Sequence, residues 1–372
     1  MGFQSLALNT TGYENTAIGY YALRDNSTGF DNTAVGFRAL KSNTVGLHNT
    51  AVGFNSLTSN TTGTANVAYG FESLYSNKDG DFNTAIGNIA LSSNITGYSN
   101  TAIGHEVLFA NIDGYSNTAI GTYTLARNKN GYENTAIGQY SLWGNITGNK
   151  NTAVGNNSLY ANSTGSFNVA CGNGALGNSN GSNNTGTGYW TLLTNTTGSN
   201  NSGYGYKADV SSGALSNATA IGAYALVNAN NKIRLGSTTV TKVEGPVAYT
   251  ISDGRFKTNI AKTDVKGLEF IKLLNPVAYN FDTKKFEEFL TKNMPDSIRR
   301  EYMNKDFSPS TAIRQSGFIA QEVEEAARKV GYNFNGVHTP ESENDNYSLG
   351  TQPICSAIGK GDARTTATNR RT

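Results

Sequence analysis

The sequence predicts an all-β solenoid, or β-roll, of 17-residue repeats followed by a small α+β domain. Three observations predict it. "NTAIGYYALRDNSTGFD" at 15–31 is followed without a gap by "NTAVGFRALKSNTVGLH" and "NTAVGFNSLTSNTTGTA". The opening Asn recurs every 17 residues from Asn15 to Asn168, and Gly19 starts a glycine series in the same step that reaches Gly172. One residue is then lost, and the glycines resume at Gly188, Gly205 and Gly222. After residue 252 the composition changes, Lys, Glu, Phe and Leu rise, and helical periodicity replaces the repeat.

A fixed period means one structural turn per repeat. "NTAIG" reads as a strand ending at glycine, "YYAL" as a second short strand, and "NSTG" as a turn, because Asn bonds its own backbone and Gly supplies positive φ. Seventeen residues are too few for a helix pair, and fixed Gly and Asn oppose helix. With strands ~4.8 Å apart, about thirteen turns give a rod on the order of 60 Å long. Alternation puts Asn and Ala of "NTAIG" on one face and Thr and Ile or Val on the other. The Leu of "YYAL" forms a further apolar column. One apolar column therefore fills the roll and another is expected to pack against a partner chain, in a homotrimer. Repeat identity also stacks Asn on Asn and Thr on Thr in ladders. "GFQSL" at 2–6 is already in register, so the chain is expected to be a piece of a longer protein.

Composition excludes several classes. The net charge of +2 implies no attraction to nucleic acid. No apolar run is long enough to span a membrane, and no signal peptide is visible. Two cysteines, Cys171 and Cys355, do not make a disulfide framework. Cys171 stands where other repeats carry Ile or Val and is expected to be a small buried apolar residue. His48, His105 and His338 have no ligand spacing, so neither a metal nor another cofactor is expected. "NTT", "NST" and "NIT" match glycosylation acceptors but fit turn chemistry better. "GYGYK" and "GNGALG" lie in register with no helix after them, which sets aside a nucleotide loop. The aromatic residues after the glycine, as in "GYY" and "GFR", are expected to be exposed or half-buried, and such a stripe could stack on a glycan. "ESEND" at 341–345 reads as a solvated loop.

"NTAIG" and "NTAVG" resemble the "SVAIG"-type sentence in the head repeats of trimeric autotransporter adhesins and in phage tail-fibre shafts. The adhesin repeat is usually shorter, near fourteen residues. This resemblance covers residues 1–230. Residues 231–251 read as a β neck. Within 252–350, "VKGLEFIKLL" places Leu268, Ile271 and Leu274 on one helical stripe. "TKKFEEFLTKNM" does the same for Phe286, Phe289 and Leu290. "FIAQEVEEAARKVG" does so for Ile319, Val323, Ala326 and Val330, with a stop at Gly331. "NPVAYNF" is a strand candidate.

"SDGRFKTNI" at 252–260 resembles the opening of the S74 peptidase family, the intramolecular chaperone autoprocessing domains. "GLEFIKLLNPVAYNF" and "GFIAQEVEEA" resemble its next two signatures, in the expected order. Such domains trimerise a fibre, help it wind, and then cut themselves off. The resemblance implies that Ser252 is the nucleophile and Lys257 its base. Arg255 would depress the Lys257 pKa or hold an oxyanion, and Asp253 would orient the turn or the base. A serine hydroxyl needs such a base near neutral pH, and a lysine serves when its pKa is lowered. The broken bond would be Ile251–Ser252 or Ser252–Asp253. After "YSL" the family continues into a helix and a trimeric coiled coil, and here the pattern breaks at Gly350. One permitted back-translation of 351–372, shifted by one nucleotide, reads as a heptad-patterned helix, so this tail is expected to be out of frame.

The expected function is a trimeric extracellular, cell-surface or virion-tail fibre that presents a binding surface for a glycan or protein receptor. Its C-terminal chaperone is expected to act once on its own backbone. One alternative is a bacterial adhesin whose C-terminal domain stays on as an uncleaved trimerisation cap. Another is a glycan-cleaving enzyme, which would need a catalytic domain upstream, since the repeats supply no acid–base pair.

Overall fold

The structure is a computed structural model that describes residues 2–241, 243, 258, 265–350, 354 and 357. It divides into two compact units, Met1–Ser237 and Thr238–Thr372. In the first, fourteen three-residue strands, from Thr16–Ile18 to Ile233–Leu235, form one parallel sheet. Equivalent repeat positions pair: Thr16 with Thr33, Ala17 with Ala34, Ile18 with Val35. The bonding continues around the corners. Leu23 N–H donates to the Ala39 carbonyl at 2.9 Å and Ser27 N–H to that of Thr44 at 2.9 Å, so each turn is tied to the next along its whole path. This is the β-solenoid predicted by the repeat.

Inside the coil lie columns of Ala, Leu and Asn. Ala34, Leu40, Asn43 and Asn49 are all fully buried. Buried amides demand partners, and the repeat supplies them from the neighbouring turns. In one ladder, Asn43 Nδ2 donates to Asn26 Oδ1 at 2.8 Å and to the Gly46 carbonyl at 2.9 Å. In the other, Asn100 Nδ2 donates to Asn83 Oδ1 at 3.1 Å and to the Gly114 carbonyl at 2.8 Å. The asparagines of "NST", "NTT" and "NIT" at 26, 60, 94, 145, 162 and 195 belong to the first ladder and are fully buried, so turn chemistry accounts for these motifs. The first ladder breaks once. Ser179 stands where the next Asn belongs, and Asn162 Oδ1 is left buried without a partner.

Two sequence expectations are corrected here. "YYAL" is not a strand in the regular turns. Tyr21 and Leu23 are left-handed, at φ 59° and 51°. The reason is geometric: Ala22 and Leu23 both point inward, and successive strand residues cannot share a face. Only in the last turns does this side become extended, at Asp209–Val210 and Leu226–Val227. Cys171 is not buried. It is exposed, because its column faces outward with Ile18 and Ile137. The glycine that ends each strand is required by both conformation and space. Gly87 has φ 136°, and a Cβ there would run into the Gly104 carbonyl of the next turn.

The second unit is a small mixed α/β body. Its helices are α1 (Leu268–Ile271), α2 (Thr283–Thr291), α3 (Asp296–Met303), α4 (Ser308–Thr311) and α5 (Ala320–Lys329). Val277–Asn280 pairs antiparallel with Arg314–Gly317, and Val337–His338 with Ser348–Leu349. The helix faces differ in part from expectation. On α1 the buried residue is Phe270, with Ile271 and Leu274 packed beside it. On α2 the buried residues include Glu287 and Leu290, whereas Phe286 and Phe289 are half-buried. On α5, Val323 and Ala326 are buried, but Ile319 is the N-cap and is exposed. Gly331, at φ 60°, ends α5 as predicted, and Tyr332 N–H reaches back to the Ala327 carbonyl at 2.9 Å. The periodicity of α3 and α4 was too short and too polar to stand out.

Candidate functional site

Ser252, Asp253, Arg255 and Lys257 lie outside the described residues, as does Cys355 and, apart from Ile354 and Ala357, the tail expected to be out of frame. What the structure describes is the body in which the other two signatures meet. "GLEFIKLLNPVAYNF" supplies α1 and the strand Val277–Asn280; "GFIAQEVEEA" supplies Gly317 and α5. Val277 pairs directly with Gly317. Phe270 packs against Val323, Ala326, Ala327 and Ala357. Its ring meets Tyr332 edge-on at 5.2 Å and Phe334 at 5.0 Å. Two segments about forty residues apart therefore form one core.

Sequence reasoning missed a buried polar centre in the same unit. The Glu287 carboxylate, 1% exposed, accepts from Thr238 Oγ1 at 2.5 Å and from Lys305 Nζ at 3.1 Å. Lys305 also lies over the Tyr302 ring at 4.9 Å. A charge taken out of water needs its partner, and removing one member costs about 3–5 kcal/mol. Lys305→Met is expected to destabilise this unit by roughly 3 kcal/mol, read as a lowered urea midpoint, while Lys284→Met on the exposed side of α2 leaves it unchanged. No spacing in the sequence marks this centre, since its members come from 238, 287 and 305.

"ESEND" is not simply a solvated loop. Asp345 is buried, its Oδ2 lies 2.5 Å from His338 Nε2, and its Oδ1 accepts from the Asn346 N–H at 2.8 Å. Among the described residues, no group of His, Cys, Asp and Glu is arranged to hold a metal, and no helix is long and apolar enough to cross a membrane.

The solenoid offers surfaces of another kind. The strand face carries outward Thr and Ile or Val columns, with Ile18, Ile86, Ile137 and Ile221 exposed. Beside it, aromatic rings stack turn on turn. Phe37, Phe54 and Phe71 are spaced 5.0 and 5.4 Å apart, and Tyr98, Tyr115 and Tyr132 are spaced 4.9 and 4.8 Å. These rings are exposed or half-buried, as the sequence predicted.

Residues 252–332 match the model of the Peptidase_S74 family, described as chaperone of endosialidase. No curated protein and no solved structure matched the chain. The matched segment opens at Ser252 and spans all three signatures, α1 to α5 included. The chain thus joins a β-solenoid of about thirteen turns to a C-terminal segment with the sequence of the endosialidase-chaperone family, an arrangement that fits a tail fibre or tail spike.

Proposed function

We propose that the chain is a trimeric surface or tail fibre, outside the cell or on a virion tail, whose C-terminal unit templates assembly and then releases itself by a Ser252–Lys257 dyad. The observation that carries this is the position of the family match. It begins at Ser252, after the last solenoid strand has ended at Leu235, and the solenoid's outward column of mostly Ile and Val is exposed or half-buried from turn to turn. Three copies would cover that column. Near-identical turns can pair out of register, because a slip of 17 residues brings the same Asn, Ala, Gly and Leu columns back into alignment. A folded unit at one end that holds three chains in phase removes that ambiguity before the shaft zips.

In the proposed cleavage, Ser252 Oγ adds to the Ile251 carbonyl carbon and its proton passes to neutral Lys257. The Ile251–Ser252 C–N bond breaks, the amine leaves with that proton, and water hydrolyses the ester. The positive charge of Arg255 would favour neutral Lys257, and Asp253 would orient the turn. Attack that breaks Ser252–Asp253 is the other outcome, told apart by product mass.

Intact mass of the expressed chain tests this, for wild type, Ser252→Ala and Lys257→Ala, each also with the reading frame restored beyond Gly350. A product ending at Ile251 or Ser252 is expected only when both residues are present, with cleavage lowered at least a hundredfold in either variant. If every form stays whole, the frame-restored wild type included, self-cleavage is wrong and the C-terminal unit is a retained cap.

A further inference from the structure

The solenoid has one turn in which two outward corner positions lose their side chains together. In successive turns, one column reads Tyr140, Asn157, Gly174, Trp190, and a neighbouring column reads Trp143, Tyr160, Gly177, Leu193. The turn that holds Gly174 and Gly177 is also the one that is a residue short, so that Val169 pairs with Thr185. Backbone conformation does not demand glycine at 174. Asn157 and Trp190 occupy the same corner at φ 55° and 52°, close to the 64° of Gly174. At Gly174 glycine is instead required by space, since a Cβ would strike the Trp190 ring, and a Cβ on Gly177 would lie 3.1 Å from the Gly174 carbonyl. Departures from an otherwise regular pattern are expected at functional or strained sites.

Beside the glycines is a notch of about 420 Å³, lined by Tyr140, Tyr160, Trp190 and Leu193 together with Asn157, Asn173 and Asn178. The size is within the ~300–1,000 Å³ of small-molecule sites. Trp143 stacks on one face of Tyr160 at 5.1 Å, and Gly177 puts nothing over the other, so the Tyr160 ring stays partly open, 37% exposed. The Trp190 ring leans into the space above Gly174, where a Cβ would strike it. No lining residue is charged. The nearest cations are engaged on rings: Lys207 over Trp190 at 4.6 Å and Arg127 over Trp143 at 4.8 Å.

Flat apolar ring faces edged by neutral amide donors and acceptors suit a ligand with a C–H face and a rim of hydroxyls. We infer that this notch binds a neutral pyranose ring, a hexose or N-acetylhexosamine unit of an oligosaccharide, stacked on Tyr160 beside Trp190. The lining comes from corner positions and not from the strands, so the Thr and Ile face assigned to the trimer is a different surface. The inference deepens the proposed role of the shaft as the presenting part of the fibre and rests on it.

The test is retention on an array of neutral hexose and N-acetylhexosamine oligosaccharides, with sialylated and sulfated glycans alongside. It is followed by titration of the best neutral sugar against tryptophan fluorescence. The chain has two tryptophans: Trp190 lines the notch and Trp143 stacks on the Tyr160 that lines it. Wild type is expected to retain neutral glycans with a fluorescence change. Gly177→Tyr, which continues the ring stack into the notch, and Tyr160→Ala are each expected to weaken binding at least tenfold. Tyr75→Ala, in the same column several turns away, is expected to leave it unchanged. A thermal melt of Gly177→Tyr confirms that the solenoid persists. Retention of no neutral glycan, retention of acidic glycans alone, or wild-type binding by Gly177→Tyr overturns the inference. Repeating the array with Ser252→Ala separates the two readings: lost cleavage with intact binding leaves the notch standing, and the reverse leaves the chaperone standing.

Discussion

Asn100→Ala is expected to destabilise the solenoid by about 4 kcal/mol, far more than the ~0.5 kcal/mol of an outward Thr101→Ala beside it. The Asn100 side chain is fully buried and joins three turns. Its Nδ2 donates to Asn83 Oδ1 at 3.1 Å and to the Gly114 carbonyl at 2.8 Å. Its Oδ1 accepts from the Asn117 backbone N–H at 3.0 Å and from Asn117 Nδ2 at 3.1 Å. Alanine leaves the Asn117 N–H buried and unpaired, at about 1–3 kcal/mol, removes one of the two amides that bond the Gly114 carbonyl (Asn111 Nδ2 stays, at 2.9 Å), and adds a cavity. Because each turn touches only its neighbours, hydrogen exchange should rise first at turns 83–117 and spread outward. Urea denaturation reads the total, and a loss below 1 kcal/mol would show that the ladder is not what holds the turns together.

Asp209 is expected to make the stability of the shaft depend on pH. It stands in the Leu column, between Leu192 and Leu226 in adjacent turns, and is 1% exposed. Burial pushes its carboxyl up to about 7, against the opposing pull of the Val210 N–H at 2.8 Å and the Thr194 N–H at 3.2 Å. A carboxyl whose folded pKa exceeds its unfolded value binds the proton more tightly in the folded state. The solenoid is then most stable below the unfolded pKa, near 4, loses stability as pH rises toward 7, and is flat above it. A shift of that size corresponds to about 4 kcal/mol as an upper figure. Asp209→Asn, which cannot ionise, is expected to abolish this slope and to be the more stable form at pH 8. Urea midpoints of the two proteins at pH 4.5 and pH 8 measure it. Parallel pH profiles would place the carboxylate in contact with water.

The solenoid was legible because its periodicity is nearly perfect and because "NTAIG" obeys strand alternation. Asn83 and Ala85 face in, and Thr84 and Ile86 face out, as that pattern requires. The corner "YYAL" was misread because its conformation depends on enclosing a narrow core. Left-handed Tyr21 and Leu23 are unfavourable in isolation, and only the ladders on either side enforce them. Cys171 was misjudged by residue type, since an outward Ile column on an unpaired chain is exposed whatever its hydropathy. In the second unit, local sequence placed α5 and its Gly331 stop. Glu287 could not be foreseen as a buried residue of α2, because the Thr238 and Lys305 that satisfy it come from distant segments. The dyad was legible only as a resemblance. The notch was invisible as a motif and emerges as the place where two columns of side chains stop.

The most direct test of the account is the assembly state of the shaft with and without its C-terminal unit. The full chain and a chain ending at Ser237, the limit of the first compact unit, would be refolded side by side and weighed by sedimentation. A trimer from the full chain, with slipped or monomeric shafts from the shorter one, is the result expected. If both chains reach the same state, or if the full chain remains a monomer of 39.5 kDa, the C-terminal unit does not template the fibre.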